Sequence, residues 1–512
     1  MYYHAEYLNK NNMSGLVDKK SVWIAIIVLI LCALAVRVFL FNGGIRGSDS
    51  FAYARYAHDI AAGSYDLSQI KNFYGFRYIL LIPTALSYYI LGVNDISSSL
   101  FPLLCSLLNI VLIFIIAKRI FNLKTALFAG IILVFYPLDI ASATLLGPDS
   151  VIPLLSSLAV FCYLMADDEG GASKRANFFL FAGLFIGLSM SARLTSVFLY
   201  GILFVDQVIR RRKAGPVLWI FLGLMIPIAA ESLYYYSITG DALYRIHQIA
   251  HHADLVKGSD PDAIVSLWFY PKVMFGFDLK GLACYGFTWW MVIAGLVWAG
   301  LKRDRRVLFP ALWLILPLLG FEFGTQSLKE MIPIMKNYNY LSLITGPAII
   351  IAAYFLVNFG EFLFSKTKIK NSLIVALFVI VIASMNTYGA YRLFLNTKDD
   401  AAPYIAVADY LKKHQASIVY THHSRWPLFL NYFLRYPDNL DFRDLNKLNQ
   451  AEMKQLPGAY VILNKRYLEA NTAGRQYHEV PWYAQYRNPG WKEVISFHGR
   501  PEYNSVTMYY VR

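Results

Sequence analysis

The chain alternates long apolar runs with short polar breaks, and eleven of the runs read as membrane-spanning helices. They are 22–41, 97–117, 124–139, 150–166, 177–192, 194–209, 216–237, 283–301, 307–323, 340–359 and 372–393. Each reaches or approaches the roughly 20 residues needed to cross a bilayer. A twelfth run, Tyr78–Val93, is shorter and contains Pro83. Runs of that length also lie at the interface or re-enter it. After the last run the pattern changes. Tyr404–His414 is amphipathic, and Ser417–Tyr420, Ala459–Leu463 and Ser505–Val511 are short and strand-like, which predicts a small soluble α/β domain over 397–512. No clean repeat joins the helices, which weakens an inverted-repeat transporter reading.

Composition agrees: of 512 residues 57% are hydrophobic and 16% charged, and the mean hydropathy is +0.43. This is the composition of a polytopic α-helical membrane protein. No small-residue cleavage site follows 22–41, so that helix is expected to be retained. The net charge of +14 predicts no nucleic-acid partner, because membrane proteins gather basic residues in cytoplasmic loops. Cys32, Cys105, Cys162 and Cys284 fall in or beside apolar runs and form neither a disulfide framework nor a metal motif. The 37 tyrosines suit interfacial belts and a binding cleft.

Charge also orients the chain. If 1–21 is cytoplasmic and 78–93 does not span, Lys19-Lys20, Lys118-Arg119, Lys174-Arg175, Arg210–Lys213, Lys302–Arg306 and Lys366, Lys368 and Lys370 all fall inside. If 78–93 spans, every cluster after it moves outside. We therefore read 78–93 as a surface helix in a first outer loop, 42–96. A large outer loop at 238–282 follows within the transmembrane domain 22–396, and the 397–512 domain is extracytoplasmic. The expected location is the cell membrane.

This topology puts Asp49 and Asp149 on one outer face, each close to a helix end. Taken alone, Asp149 before Ser150 also reads as a helix cap. Arg193, in the outer turn Ser191-Ala192-Arg193-Leu194, reads either as a snorkelling side chain or as a phosphate ligand. Arg77, Lys336 and Arg55 are further basic candidates, and His251-His252 candidates for substrate or metal. An outer carboxylate can serve as general base on an acceptor, and a cation can stabilise a departing phosphate. Together they fit sugar transfer from a lipid-phosphate carrier. The rival readings are a flippase or transporter of lipid-linked glycans, for which Asn109 and Glu231 are the intramembrane or near-membrane polar residues, and a noncatalytic assembly partner.

The order of elements resembles the GT-C-fold glycosyltransferases, in particular the protein O-mannosyltransferase and aminoarabinose-transferase group, over about 20–390. By that resemblance Asp49 matches the first-loop catalytic acid, with Ser50 where the group often has Glu, and Tyr53 the aromatic residue after it. Arg77 matches the basic residue before a proline-rich stretch, here Tyr78-Ile79-Leu80 without prolines. Asp149 matches the second acid, and Arg193 the basic residue after a glycine-bearing helix (Gly183, Gly187). Lys336-Asn337-Tyr338-Asn339-Tyr340 takes the place of an Arg-Tyr segment, with Asn339 replacing the Arg and Lys336 supplying the charge. The resemblance implies Asp49 and Asp149 as catalytic acids and a donor phosphate on Arg193, Arg77 and Lys336. Substrate contacts fall to Tyr53, Arg55, His251, His252, Asn339 and Tyr340. It further implies a polyprenyl-phosphate-linked sugar donor, membrane lipids around the chain, an acceptor that is protein, lipid or glycan, and inversion at the anomeric carbon. A divalent metal on Asp49 and Asp149 stays open.

Overall fold

The computed structural model describes residues 19–511 apart from 46, 71, 168, 170, 212–213, 258–267, 276–284, 326–333, 335, 368–370, 423–424, 449–451, 453–455, 465–490 and 498–505. The helices run α1 (Lys19–Phe39), α2 (Gly47–Ala61), α3 (Tyr78–Leu91), α4 (Asp95–Ile120), α5 (Leu123–Val134), α6 (Pro137–Ala143), α7 (Val151–Ala166), α8 (Ala172–Ala192) and α9 (Phe198–Ile209). They continue as α10 (Gly215–Thr239), α11 (Tyr244–Lys257), α12 (Phe269–Phe275), α13 (Thr288–Lys302), α14 (Leu308–Phe323), α15 (Thr345–Thr367), α16 (Asn371–Lys413) and α17 (Arg425–Phe433). The runs expected to span fall on helices, 124–139 on the broken pair α5–α6, and residues 283–284 of the run 283–301 lie outside the described residues. Among the described residues seven helices are long and apolar enough to cross, or eight if the bent α5–α6 pair is one span. The helices at three other expected spans, α7, α9 and α13, are shorter, at 16, 12 and 15 residues.

α3 is a 14-residue helix with Pro83 inside it. Leu80 and Leu81 are buried, while Ile82, Leu86, Tyr89 and Ile90 are exposed. An apolar outer face on so short a helix suits the membrane interface better than a span. The α5–α6 pair bends by 59° at Pro137, which supplies no backbone donor. Arg37 of α1, fully buried, makes good the broken ladder. Its guanidinium donates to the Val134 carbonyl at 3.3 Å, to Ser106 at 2.9 Å and to Asp139 of α6, and Ser106 donates to Asp139 at 2.6 Å. Buried charge inside a membrane bundle persists when paired in this way.

Glycines set a close contact between α8 and α10. A Cβ on Gly183 of α8 would lie 1.9 Å from the Ile220 carbonyl oxygen, and one on Gly223 of α10 2.0 Å from that of Leu180. Small residues let helix backbones approach in this manner, and the contact fixes the end of α8 that carries Arg193.

α16 runs 43 residues without a break, so the boundary expected at 396/397 falls inside one helix. It leads into a five-stranded sheet of β1 (Ile418–Thr421), β2 (Asp441–Asp444), β3 (Tyr460–Asn464), β4 (Trp491–Phe497) and β5 (Val506–Val511) in the order β2-β1-β3-β5-β4. β1 pairs parallel with β2 and β3, and β5 pairs antiparallel with β3 and β4. This small α/β domain shares one apolar cluster with the first loop, in which Phe51, Leu80 and Leu81 pack with Phe429, Leu430 and Met508.

Candidate active site

Two acid-bearing segments are tied together just ahead of their acids. The Gly44 amide donates to the Thr144 carbonyl at 3.0 Å, and the Leu146 amide to the Gly44 carbonyl at 2.7 Å. Asn42 adds its amide and side chain to the Thr144 hydroxyl at 3.2 and 3.1 Å. Gly44 has a φ of +71°, and a Cβ there would lie 2.4 Å from the Asp95 carbonyl oxygen; both conditions call for glycine. The bridge holds the approaches to Asp49 and Asp149 in one frame.

Asp49 opens α2, where the positive end of the helix dipole favours a carboxylate. It is exposed, and the Tyr74 hydroxyl donates to its Oδ1 at 2.8 Å. Tyr53, one turn on along the same face, is buried and accepts a hydrogen bond from Arg77. The Arg77 guanidinium also lies 5.2 Å from the centre of the Tyr53 ring and 5.1 Å from that of Phe73, within cation–π range. Burial pushes the Tyr53 phenol up, Arg77 and Arg193 pull it down, and Asp49 and Asp149 add to the rise. Burial, then Asp49, raises the Tyr74 phenol as well, which keeps it a donor.

The second cluster centres on Arg193, the residue that ends α8. Its guanidinium meets Asp149 Oδ1 at 2.7 Å, donates to the Asn339 carbonyl at 3.2 Å and stands 4.8 Å over the Tyr340 ring. Only 11% of the Arg193 side chain and 15% of the Asp149 side chain is exposed. Burial opposes the charge on Arg193, and Asp149 and Tyr340 outweigh it, so the group is held above its ordinary value. Its Nε is buried with no hydrogen-bond partner among the described residues. The snorkelling reading of Arg193 therefore gives way to a buried pair. Asp149 is not a helix cap either: Ser150 holds the cap position of α7 and makes no side-chain cap bond.

Other candidates lie elsewhere. Lys336 Nζ donates to the carbonyls of Phe321, at 2.9 Å, and Glu322, and pairs with the Glu322 carboxylate at 3.5 Å. It closes the end of α14, and its side chain is only 3% exposed. Burial lowers its affinity for a proton, against the pull of Glu322. Arg55 is 61% exposed and faces Asp59 at 3.7 Å. His251 and His252 fall on α11, but their side chains lie outside the described residues. Glu231 pairs with Arg245 at 2.8 Å, and Asn109 accepts from Ser157 at 2.7 Å. Sequence reasoning passed over Tyr74 and Arg245. Arg245 also donates to the Met190 and Ser191 carbonyls at 2.8 and 3.2 Å, and so binds the large outer loop to the end of α8 beside Arg193. No local pattern marks either residue. Among the described residues no group of three His, Cys, Asp or Glu side chains gathers as a metal site.

Residues 80–235 match the family described as dolichyl-phosphate-mannose-protein mannosyltransferase. No curated protein matches the chain by sequence comparison. Among solved structures, ArnT from Cupriavidus metallidurans in the apo state is similar at 15% identity over 96% of this chain and 98% of that one, with a TM-score of 0.65. The same protein bound to undecaprenyl phosphate gives 0.60 at the same identity and coverage. The oligosaccharyltransferase AglB from Archaeoglobus fulgidus, in complex with an inhibitory peptide and a dolichol-phosphate, is 12% identical over 88% of this chain and 70% of that one, with a TM-score of 0.51. The resemblance expected from the sequence is borne out in the fold: the chain shares the GT-C fold of these structures, and residues 80–235 carry the match to the mannosyltransferase family.

Proposed function

We propose that the protein transfers a sugar from a polyprenyl-phosphate-linked donor to an acceptor hydroxyl or amine at the outer membrane face. Asp49 takes the acceptor proton as its oxygen or nitrogen attacks the anomeric carbon. The bond from that carbon to the phosphate oxygen breaks on the opposite side, so the configuration inverts and the carrier phosphate leaves. Arg193, held by Asp149, offers positive charge to that phosphate. Arg77 contributes charge from the Asp49 side, and Asn339 and Tyr340 fix the Arg193 guanidinium. The basic clusters support a cytoplasmic N-terminus, an extracytoplasmic C-terminal domain and residence in the cell membrane. The carriers bound by ArnT and AglB support the donor class.

The observation that carries this reading is the buried Arg193–Asp149 pair at 2.7 Å, whose acid-bearing segment is laced to that of Asp49 by the Gly44–Thr144–Leu146 bonds. The test supplies purified protein in nanodiscs with polyprenyl-phosphate sugars and follows release of the carrier phosphate. Asp49→Asn should fold and lose activity by about 10²–10⁴-fold, the usual contribution of a general base. Full activity in that variant removes Asp49 as the base. Movement of labelled lipid with no new glycosidic bond would instead support the flippase.

A further inference from the structure

α2, which carries Asp49 in its first turn, is gripped from two sides. On one side Tyr74 and Arg77 hold Asp49 and Tyr53. On the other side stands the soluble domain. Phe51, two residues after Asp49 and 3% exposed, packs its ring 4.1 Å from that of Phe429, 5.7 Å from Tyr432 and 5.6 Å from Phe433, all of α17. Tyr404 of α16 backs Phe429 at 4.5 Å. Tyr432 then reaches past the rings: its hydroxyl donates to Asp95 Oδ1 at 2.9 Å and lies 2.8 Å from Ser98 Oγ, which is itself 2.8 Å from the Tyr88 hydroxyl. Near the far end of α2, Tyr436 stacks on His58 at 4.0 Å. The Tyr432 bonds are polar and directional, and they anchor α17 to α4 and, through Ser98, to α3, while its ring packs on Phe51 of α2. Buried networks of this kind fix one arrangement where apolar contact alone tolerates several.

We propose that Tyr432 is a positioning residue for sugar transfer: through α17 the soluble domain sets the placement of α2 and hence of the Asp49 carboxylate. The inference rests on Asp49 acting as base. A general base displaced by about 1 Å costs up to about 10²-fold in rate, so loosening α2 should appear in turnover before it appears in binding.

The test compares full-length wild type, Tyr432→Phe and Phe429→Leu in nanodiscs, with Tyr509→Phe, on the face of the sheet turned away from α17, as control. Folded protein is isolated by size exclusion, deuterium uptake over 47–61 is followed, and kcat and donor KM are measured. Tyr432→Phe should speed exchange across 47–61 and lower kcat by about 10-fold or more with KM unchanged; Tyr509→Phe should do neither. If Tyr432→Phe does not fold, Phe429→Leu carries the same expectation. Unchanged exchange over 47–61 overturns the proposal whatever Asp49 does, and so does faster exchange with normal turnover. Failure of the underlying base assignment shows separately, as full activity in Asp49→Asn.

Discussion

Arg193 gathers a carboxylate, a backbone carbonyl and an aromatic face around one guanidinium, through Asp149, Asn339 and Tyr340. A planar fork can meet the first two while its face rests on the third. An ammonium at the same place has a point charge and no fork. Arg193→Lys should therefore fold but lose about 10–100-fold in kcat/KM, or about 1.4–2.7 kcal/mol of transition-state stabilisation; steady-state release of carrier phosphate measures it, and an unchanged value removes the guanidinium from the mechanism. Asp49, Asp149 and Arg193 were legible in the sequence because a charge beside a helix end stands out against apolar runs. Lys336 carried the same signal for another reason, since the unsatisfied carbonyls ending α14 absorb it. Arg37 gave no signal, because one charge vanishes in the average of a long apolar run. Tyr74 and Arg245 act through partners 25 and 55 positions away, a distance that no local spacing records.

At the scale of elements, the α8–α10 contact makes the sharpest demand on the sequence. The Gly183 Cβ position is already occupied by the backbone oxygen of Ile220, and backbone cannot rotate aside as a side chain does. Gly183→Leu should push the helices apart and destabilise the protein by at least the roughly 1–3 kcal/mol of ordinary overpacking, read as a lower melting temperature in detergent. Gly201→Leu on α9, with no atom within 4 Å of its Cβ position, should leave it unchanged. Apolar runs predicted where helices form because a bilayer leaves backbone groups no other partner. The junction after 393 was less legible. The boundary expected at 396/397 lies within α16, which runs on through Pro403, and Tyr404, Val407 and Leu411 are buried against the soluble domain. That packing outweighs the single hydrogen bond a proline forgoes.

For the whole molecule, the succession of apolar helices and the strands β1, β3 and β5 were readable, whereas α11, α12, α17, β2 and β4 were not expected from the sequence, and the family match over 80–235 covers part of that succession. What could not be read was how the soluble domain meets the first loop, because Phe51 and Phe429 are brought together only by the fold. That meeting depends on α16. At 1.5 Å per residue its 43 residues extend roughly 64 Å, about twice the hydrocarbon thickness of a bilayer. The helix is a mast, and the soluble domain rides at an altitude the mast dictates, with no slack tether to absorb an error. Four helical residues inserted between Thr397 and Pro403 would raise the domain by about 6 Å and swing it by roughly 40°, lifting α17 off α2. Transfer activity should collapse although no residue of either charged cluster has been substituted.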